Sequence, residues 1–184
     1  MRIAIDIDST LHHYWDLLAA AAKRRFGVDL PYEDQRTWDV SRLRAEQMRA
    51  IVADTHSERA ILGAIPYPGA VETVNAWRRA GHFIQISSHR ADHCHAATER
   101  WLADIGLHYD ELYCSYDKIA RAVEIGIEVL VDDSPVNLER ALEAGIRAAT
   151  IVHPWNAALV ESGRAIGAAD WFELRERLAP LLDG

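Results

Sequence analysis

Short apolar runs rich in β-branched residues alternate along this chain with longer stretches in which apolar residues recur every three or four positions. The first pattern predicts buried strands and the second predicts helices. Strands are predicted over Ile3–Ile7, His82–Ser87, Glu111–Cys114, Val129–Val131 and Ala148–Val152. Helices are predicted over Ala70–Ala80, Ala97–Asp104, Lys118–Glu124, Val136–Ala144 and about Trp171–Leu182. The alternation predicts an α/β fold in which a parallel sheet is flanked by helices.

One long segment interrupts this alternation. Between the first strand and Pro66 the chain looks helical throughout, whereas a connection between parallel strands needs only one helix. A first helix is expected to end at Gly27, and Ser41 is expected to cap a second helix that continues through Ala53. We therefore expect a small α-helical cap, inserted after the first strand and lying over its carboxyl end. The predicted domains are a cap over residues 11–66 and a core over residues 1–10 and 67–184.

The composition limits the partners. The chain has 20 Lys and Arg against 28 Asp and Glu, a net charge of −8, which argues against nucleic-acid polymers and membrane surfaces. No apolar run approaches the roughly 18 residues of a membrane span, and Met1 leads into a strand without a signal-peptide pattern. Two cysteines, Cys94 and Cys114, do not make a disulfide framework. We expect a cytoplasmic protein with a small-molecule partner; monomer and homodimer both stay open.

Pairs of acidic residues follow two of the predicted strands. Asp6 and Asp8 end the first strand, and Asp132 and Asp133 come directly after Val129–Val131. The carboxyl ends of parallel strands open onto the crevice where ligands bind. Like charges placed there repel one another unless a cation or a proton offsets them. The two pairs therefore predict a site for a hard cation and a phosphate group.

A hydroxyl and an amine also lie near the predicted strand ends, and each has a role if the reaction is phosphoryl transfer. Asp6 would attack phosphorus, and Asp8 would protonate the leaving oxygen and then deprotonate the attacking water. Ser87 would donate a hydrogen bond to the phosphate, and Lys118 would offset its charge. Lys23 is the only other lysine, so lysine at position 118 indicates a need for a compact ammonium group.

Mg²⁺ is the predicted cofactor, because oxygen atoms are the ligands that this ion prefers. The candidate metal residues are Asp6, Asp8, Asp132 and Asp133. Asp6 and Asp132 would contribute carboxylate oxygens and Asp8 a backbone oxygen. Asp133 would support the metal site from further out or pair with Lys118.

The order of these motifs resembles that of the haloacid-dehalogenase-like hydrolase superfamily. The matching residues are Asp6-Ile7-Asp8-Ser9-Thr10-Leu11, Ser87 after a hydrophobic strand, Lys118, and Asp132-Asp133, and the resemblance covers the chain to about residue 155. It implies a Rossmann-like core with a helical cap, and Mg²⁺-dependent hydrolysis of phosphomonoesters through an aspartyl-phosphate. Asp8 stands where the resemblance places the second acid of phosphatases, which true dehalogenases lack, so halide removal is not expected.

A closer resemblance concerns the substrate. Val131-Asp132-Asp133-Ser134-Pro135 followed by His153-Pro154-Trp155-Asn156 is similar to the 5′-deoxyribonucleotidases. This similarity implies a nucleoside monophosphate substrate and cap aromatics that contact the base. Departures are Ser9 in place of glycine, Ser87-Ser88-His89 in place of Thr-Ser-Pro, and Tyr116 in place of arginine. The candidate substrate-binding residues are Ser88, His89, Trp15 and Trp38.

Other functions stay open. A sugar phosphate or another small phosphoester would need the same chemistry, and a phosphate-binding module without turnover would need the four motifs to lie apart in space. Helix capping explains Ser134 in Asp133-Ser134-Pro135, but it does not explain Asp132. Response-regulator receivers combine similar residues, but their phosphorylated aspartate lies on a later strand, so the motif order here argues against them.

Overall fold

The computed structural model of the protein describes residues 1–182; Asp183 and Gly184, the end of the predicted core segment, lie outside the described residues. One six-stranded sheet has the order β3-β2-β1-β4-β5-β6, and all its neighbouring strands are parallel. The strands are β1 Arg2–Asp6, β2 Phe83–Ser88, β3 Glu111–Cys114, β4 Val129–Val131, β5 Arg147–Ile151 and β6 Ile166–Ala168. The α-helices are α1 Tyr14–Phe26, α2 Ala45–Thr55, α3 Glu58–Leu62, α4 Ala70–Arg79, α5 His95–Asp104, α6 Lys118–Glu124, α7 Pro135–Glu143, α8 Ala157–Glu161 and α9 Trp171–Leu182.

The predicted α/β class and five predicted strands are confirmed. The sequence did not predict β6 or α8, because a strand of three residues that contains Gly167 and a helix of five residues are too short to show a hydrophobic period. No helix within residues 1–182 is both long enough and apolar enough to cross a membrane.

Both faces of the central strand β1 are buried, as is usual in a parallel sheet covered by helices. Ile3 and Ile5 point into the main core, where they pack with Trp77 and Trp171 of the flanking helices. Ala4 points to the opposite face, toward the smaller core formed with α6 and α7. Side chains alternate along a strand, so Asp6 lies on the same face as Ala4.

The strand order reverses beside β1. The chain runs from β1 outward to β2 and β3, then returns to β4 on the other side of β1 and continues outward to β6. In open α/β sheets, this switch point leaves a crevice outside the carboxyl ends of the strands. The residues that follow β1 and β4 therefore lie at the mouth of that crevice.

The cap differs in part from its prediction. Helix α1 ends at Gly27, as expected, where φ is +68°. The second helix begins at Ala45 and continues to Thr55, so the expected cap at Ser41 is wrong. Gln47 accepts a hydrogen bond from the Arg44 backbone N–H at 3.0 Å, which fixes the start of the helix there. The segment from 28 to 44 contains one 3₁₀ turn and no α-helix, so the expectation of helix throughout is also wrong.

The chain leaves and re-enters the core at one place. The Tyr67 backbone N–H donates to the Leu11 carbonyl at 2.8 Å, which joins the two ends of the cap. Inside the cap, Trp15 and Ile51 pack in an apolar cluster that also includes Trp155 of the core. The cap is therefore held against the core by apolar contact as well as by its two connections.

Candidate active site

Lys118 joins the ends of two neighbouring strands. Strands β1 and β4 pair in register through Ile5 and Val131, so Asp6 and Asp132 follow at adjacent positions. Lys118, the first residue of α6, places Nζ 2.5 Å from Asp6 Oδ1 and 2.6 Å from Asp132 Oδ2. Burial alone lowers the pKa of Lys118, but the Asp132 and Asp6 carboxylates raise it, so the ammonium stays charged.

Asp133 completes a buried cluster of three carboxylates. Asp6, Asp132 and Asp133 each offer an oxygen within 4.8 Å of the others. Burial and the repulsion of Asp132 and Asp8, opposed by Lys118, raise the pKa of Asp6 to about 7. Burial, with Asp6 and Asp132 next, raises the pKa of Asp133 well above its usual value. The three carboxylates can carry more negative charge than the single ammonium of Lys118 offsets, and all their ligand atoms are oxygens. Such a site fits a hard divalent cation such as Mg²⁺.

This arrangement bears on the roles expected of Asp133 and Asp8. Among the ion pairs of residues 1–182, Lys118 pairs with Asp6 and Asp132, so pairing with Lys118, one of the two roles expected of Asp133, is not found. Asp133 instead lies in the carboxylate cluster itself. The side chain of Asp8 stands outside that cluster, which leaves a backbone oxygen as its predicted contribution to metal binding.

Asp132 is held by the start of α7. Its Oδ1 accepts from the Ser134 backbone N–H at 2.8 Å, and both its oxygens lie 3.2 Å from Asn137 Nδ2. The Ser134 hydroxyl accepts from the Asn137 backbone N–H, with Pro135 at the first helical position. Ser134 is thus the N-cap of α7, whereas Asp132 precedes the cap and accepts from the N-cap residue and from the Asn137 side chain. The same hydrogen bonds orient the carboxylate toward Lys118.

Asp8 is surrounded by basic side chains. Arg90 Nη2 donates to Asp8 Oδ1 at 2.7 Å and Arg90 Nε donates to Oδ2 at 3.2 Å. His12 Nε2 lies 3.0 Å from Oδ1, and His56 Nε2, from the cap, lies 3.5 Å from Oδ2. Burial alone would raise the pKa of Asp8, but Arg90 and the two histidines hold it well below its usual value. Asp8 is therefore ionised at neutral pH.

The two serines at the end of β2 have different surroundings. Ser87 pairs in register with Asp6 and shares its face of the sheet. Its hydroxyl is buried and has no hydrogen-bond partner among the described residues 1–182. The Ser88 side chain is fully buried, and its hydroxyl accepts from the Arg90 backbone N–H at 3.2 Å. Ser88 thus supports the loop after β2, and neither Ser87 nor Ser88 is part of the wall of the cavity described next.

A cavity of about 400 Å³ opens above the carboxylates, between the core and the cap. Trp38 is 42% exposed and its ring lies 6.5 Å from that of Trp155, at the cavity wall. Trp15 also reaches the wall, but it is 6% exposed and donates to the Leu30 carbonyl at 3.1 Å. Trp38 is therefore free to contact a ligand, whereas Trp15 belongs mainly to the packing of the cap.

His89 lines the same cavity beside Lys118. Its ring stacks on that of Tyr116 with 5.7 Å between ring centres. Burial, and next the positive charge of Lys118, lower the pKa of His89 from 6.5 to about 4. His89 is therefore neutral at neutral pH, and it presents a polar ring without charge.

The His153–Asn156 loop stabilises the site through hydrogen bonds to the backbone of Asp133 and Ser9. Asn156 Nδ2 and Trp155 Nε1 both donate to the Asp133 backbone carbonyl, at 3.1 and 3.2 Å. His153 Nε2 lies 2.7 Å from the Ser9 carbonyl, and its Nδ1 lies 2.7 Å from the Tyr32 hydroxyl of the cap. Burial lowers the pKa of His153 to about 4, so a neutral ring donates to Ser9 and accepts from Tyr32.

Sequence reasoning did not assign three of these supporting residues to the site. His12 follows Asp8 by four positions, and Asn137 follows Asp132 by five, so both were within reach of local spacing. His56 belongs to the cap, and no spacing rule connects it to Asp8. Its contact with Asp8 depends on how the cap packs on the core.

No protein-family model and no curated protein matches the chain. Solved structures do. A HAD family hydrolase from Deinococcus radiodurans, with bound phosphate and sodium, is 21% identical with a TM-score of 0.71, and the match covers 97% of this chain and 95% of that one. A predicted phosphoglycolate phosphatase from Haemophilus somnus is 16% identical with a TM-score of 0.65, covering 92% and 93%. CbbY from Rhodobacter sphaeroides, in complex with xylulose-1,5-bisphosphate, is 16% identical with a TM-score of 0.62, covering 94% and 95%.

The chain therefore has the haloacid-dehalogenase-like fold, as the four motifs predicted. The similarity extends over at least 92% of this chain and at least 93% of each compared structure. At these identities the similarity shows the fold alone, because one fold hosts many different functions.

Proposed function

We propose that the protein is a Mg²⁺-dependent phosphomonoester hydrolase that acts through an aspartyl-phosphate on Asp6. One observation carries the proposal: the Asp6 carboxylate, Lys118 and Asp132 converge within hydrogen-bond distance at the floor of a cavity large enough for a small molecule. A carboxylate nucleophile needs nearby positive charge to approach an anionic phosphate, and Lys118 supplies it.

The reaction follows from these positions. An Asp6 oxygen forms a bond to phosphorus as the bond to the leaving oxygen breaks, and Asp8 gives that oxygen a proton. Asp8 is ionised in the free site, so it first takes this proton from the monoanionic form of the ester, which is roughly a tenth of the total at pH 7 because the second pKa of the phosphate is about 6. Asp8, ionised again, then takes a proton from the water that attacks phosphorus, and the bond between phosphorus and the Asp6 oxygen breaks. Phosphate leaves, Asp6 is restored as a carboxylate, and Asp8 passes the proton to solvent. Ser87, whose hydroxyl has no hydrogen-bond partner within residues 1–182, donates to a phosphate oxygen.

Asp6, Asp132 and Asp133 are the residues that would hold Mg²⁺, with the backbone oxygen of Asp8 as a further ligand. When bound, the ion offsets the negative charge shared by the phosphate and the carboxylates. The start of α7 contributes by holding the Asp132 carboxylate in one orientation.

The preferred substrate class is a nucleoside monophosphate, in line with the sequence resemblance. Lys118 is the one lysine or arginine that lines the cavity within the described part of the chain. A second phosphate or a carboxylate on the substrate would find no guanidinium or ammonium partner there. Trp38 and Trp155 offer aromatic surface, which stacks with a flat, uncharged base.

A sugar phosphate is the second candidate. The structural similarity to CbbY in complex with a sugar bisphosphate favours it. The lack of a second cation in the cavity wall over residues 1–182 weighs against a bisphosphate, so a sugar monophosphate is the relevant form.

The test is phosphate release from deoxyribo- and ribonucleoside monophosphates, sugar monophosphates and sugar bisphosphates, each with Mg²⁺ and with a chelator. We expect Mg²⁺-dependent release from nucleotides, and its loss in Asp6→Asn. Asp104→Asn, an exposed aspartate at the end of α5, is the matched control and should keep full activity. Release from sugar phosphates alone would leave the mechanism standing and remove the nucleotide assignment. Substrate binding without release in the natural chain would favour a binding module.

A further inference from the structure

Arg90 and Asp8 form a two-pronged ion pair beside the cavity. Nη2 and Nε of the guanidinium reach the two different oxygens of Asp8, at 2.7 and 3.2 Å. Such a fork fixes the plane of a carboxylate as well as its distance, which a single donor does not. We propose that Arg90 is a positioning residue, which orients Asp8 for proton transfer to the leaving oxygen. The inference rests on the proposed phosphomonoesterase function.

Arg90 is itself fixed by the core. Its side chain is 2% exposed, and Nη1 donates to Thr98 Oγ1 at 3.2 Å. The guanidinium carbon lies 5.8 Å from the ring centre of Trp101, on the same helix as Thr98. Both of these α5 residues are buried. Because Thr98 and Trp101 hold Arg90 on the side away from Asp8, the packing of the core sets the position of the guanidinium relative to Asp8.

Asp8 also faces the cavity. It is 18% exposed and lines the cavity wall, so a side chain that contacts Arg90 is also accessible from the cavity. A buried ion pair is by itself weak evidence for a contribution to stability. Here Arg90 is rigid and buried, and its partner Asp8 is the group proposed to transfer the proton. A role in orienting Asp8 explains both the rigidity of Arg90 and its choice of partner.

His12 and His56 are additional contacts of Asp8, but neither replaces Arg90. His12 Nε2 reaches only Oδ1, the oxygen that Arg90 Nη2 also contacts. His56 Nε2 lies 3.5 Å from Oδ2, beyond a good hydrogen bond, and it belongs to the cap. Arg90 is therefore the contact that defines the orientation of Asp8 from the core.

The test compares Arg90→Lys in two backgrounds, the natural chain and Asp8→Asn. Lysine keeps the charge and loses the fork. We expect kcat on a nucleoside monophosphate to fall by about 10- to 100-fold in the natural background with KM little changed, since small misplacements of a reacting group cost about that much. In the Asp8→Asn background the same change should alter kcat by less than about twofold, because the positioned group is already inactive.

The leaving group provides a second readout. p-Nitrophenyl phosphate has a leaving oxygen that needs little protonation, so the loss in Arg90→Lys should be smaller on it than on a nucleotide. Arg121→Lys is the control and should change neither rate: Arg121 Nε and Nη2 both donate to the Glu111 Oε1 oxygen in a partly buried pair, and neither residue lines the cavity. Equal losses on both substrates, or equal losses in both Asp8 backgrounds, would overturn the positioning role.

Two further measurements test the inference even if Arg90→Lys folds poorly or the natural chain shows no turnover. Thr98→Val removes the Nη1 partner and keeps Arg90, so it should give a smaller loss with the same dependence on the leaving group. Crystal structures of the natural chain and Arg90→Lys should show the Asp8 carboxylate rotated in the variant, whether or not turnover is found. An unchanged Asp8 orientation would overturn the inference, whereas an inactive natural chain would instead refute the proposed function.

Discussion

Lys118 Nζ lies 2.5 Å from Asp6 Oδ1, although 112 positions separate the two residues in the chain. Both side chains are buried, and the same ammonium also pairs with Asp132 at 2.6 Å. A buried cation between two carboxylates holds the ends of β1 and β4 and the start of α6 together. The pairing therefore links the stability of the fold to the proposed chemistry.

Lys118→Met should unfold more easily by about 3 to 5 kcal/mol, because it leaves two buried carboxylates without their cation. The free energy of unfolding from urea titration at neutral pH measures this. Lys23→Met is the matched control: Lys23 is 59% exposed and pairs with the exposed Asp29 at 2.7 Å, so its loss should cost less than about 1 kcal/mol. Similar costs for both variants would show that the buried pairing contributes little.

Mg²⁺ should stabilise the natural chain against heat. An ion that binds the folded state at a hundred times its dissociation constant adds about 2.7 kcal/mol. The measurement is Tm with Mg²⁺ and with chelator, for the natural chain and for Asp132→Asn and Asp133→Asn, where the gain should largely disappear. Asp117→Asn, at a carboxylate that is 64% exposed, should keep it. A gain of the same size in all variants would point to binding elsewhere.

Trp38→Ala should change substrate binding, whereas Trp15→Ala should change stability. The exposed Trp38 ring is expected to stack with the base, so its removal should raise KM for a nucleotide by about 10-fold, since base–aromatic stacking contributes about 1–3 kcal/mol. The buried Trp15 packs the cap, and its removal should cost about 3–5 kcal/mol in unfolding free energy. Steady-state kinetics and urea titration separate the two. An unchanged KM in Trp38→Ala would argue against a nucleotide substrate.

His153 should make the fold sensitive to acid. Its pKa is about 4 in the folded chain and 6.5 ordinarily, so the unfolded chain binds an additional proton between these values. Its contribution is complete above pH 6.5 and is lost as the pH falls toward 4, by up to roughly 3 kcal/mol. Unfolding free energies from pH 7.5 to 4.5 should fall less steeply in His153→Gln. His89 has a similar shift and remains in both proteins, so the difference between the two slopes isolates His153. Equal slopes would contradict the prediction.

Ser9→Gly should stabilise the fold by about 0.5 to 1 kcal/mol. Ser9 has a φ of +61°, the left-handed region that glycine adopts without strain, and the gain is partly offset by the entropy of glycine in the unfolded chain. Urea titration measures the change. Ser162→Gly is the control, because φ there is −72° and glycine should destabilise. A loss of stability in Ser9→Gly would mean that the serine side chain contributes more than the backbone strain costs.

Much of the fold was predictable because its signals are local. Each buried strand has a short apolar run, and most helices of the core end before a glycine. The cap was predicted less well. Its second helix starts at Ala45 and not after Ser41, because the Gln47 side chain accepts from the Arg44 backbone N–H and fixes the start of the helix there. Predicting β6 would have required knowing that β5 leaves an edge to which Ile166–Ala168 adds.

The sequence by itself determined the α/β class, the acidic pairs after β1 and β4, and lysine at position 118. These depend on strand length and chain order, because parallel strands bring their carboxyl ends to one edge of the sheet. Tertiary structure decided which carboxylates face each other. Strand β1 ends at Asp6, and the turn in which the Leu11 N–H donates to the Ile7 carbonyl directs Asp8 toward Arg90. Asp133 instead joins Asp6 and Asp132. The direction of a side chain after a strand depends on the turn that follows and on the charged side chains that the fold brings close to it. The spacing of residues along the sequence does not show either of these.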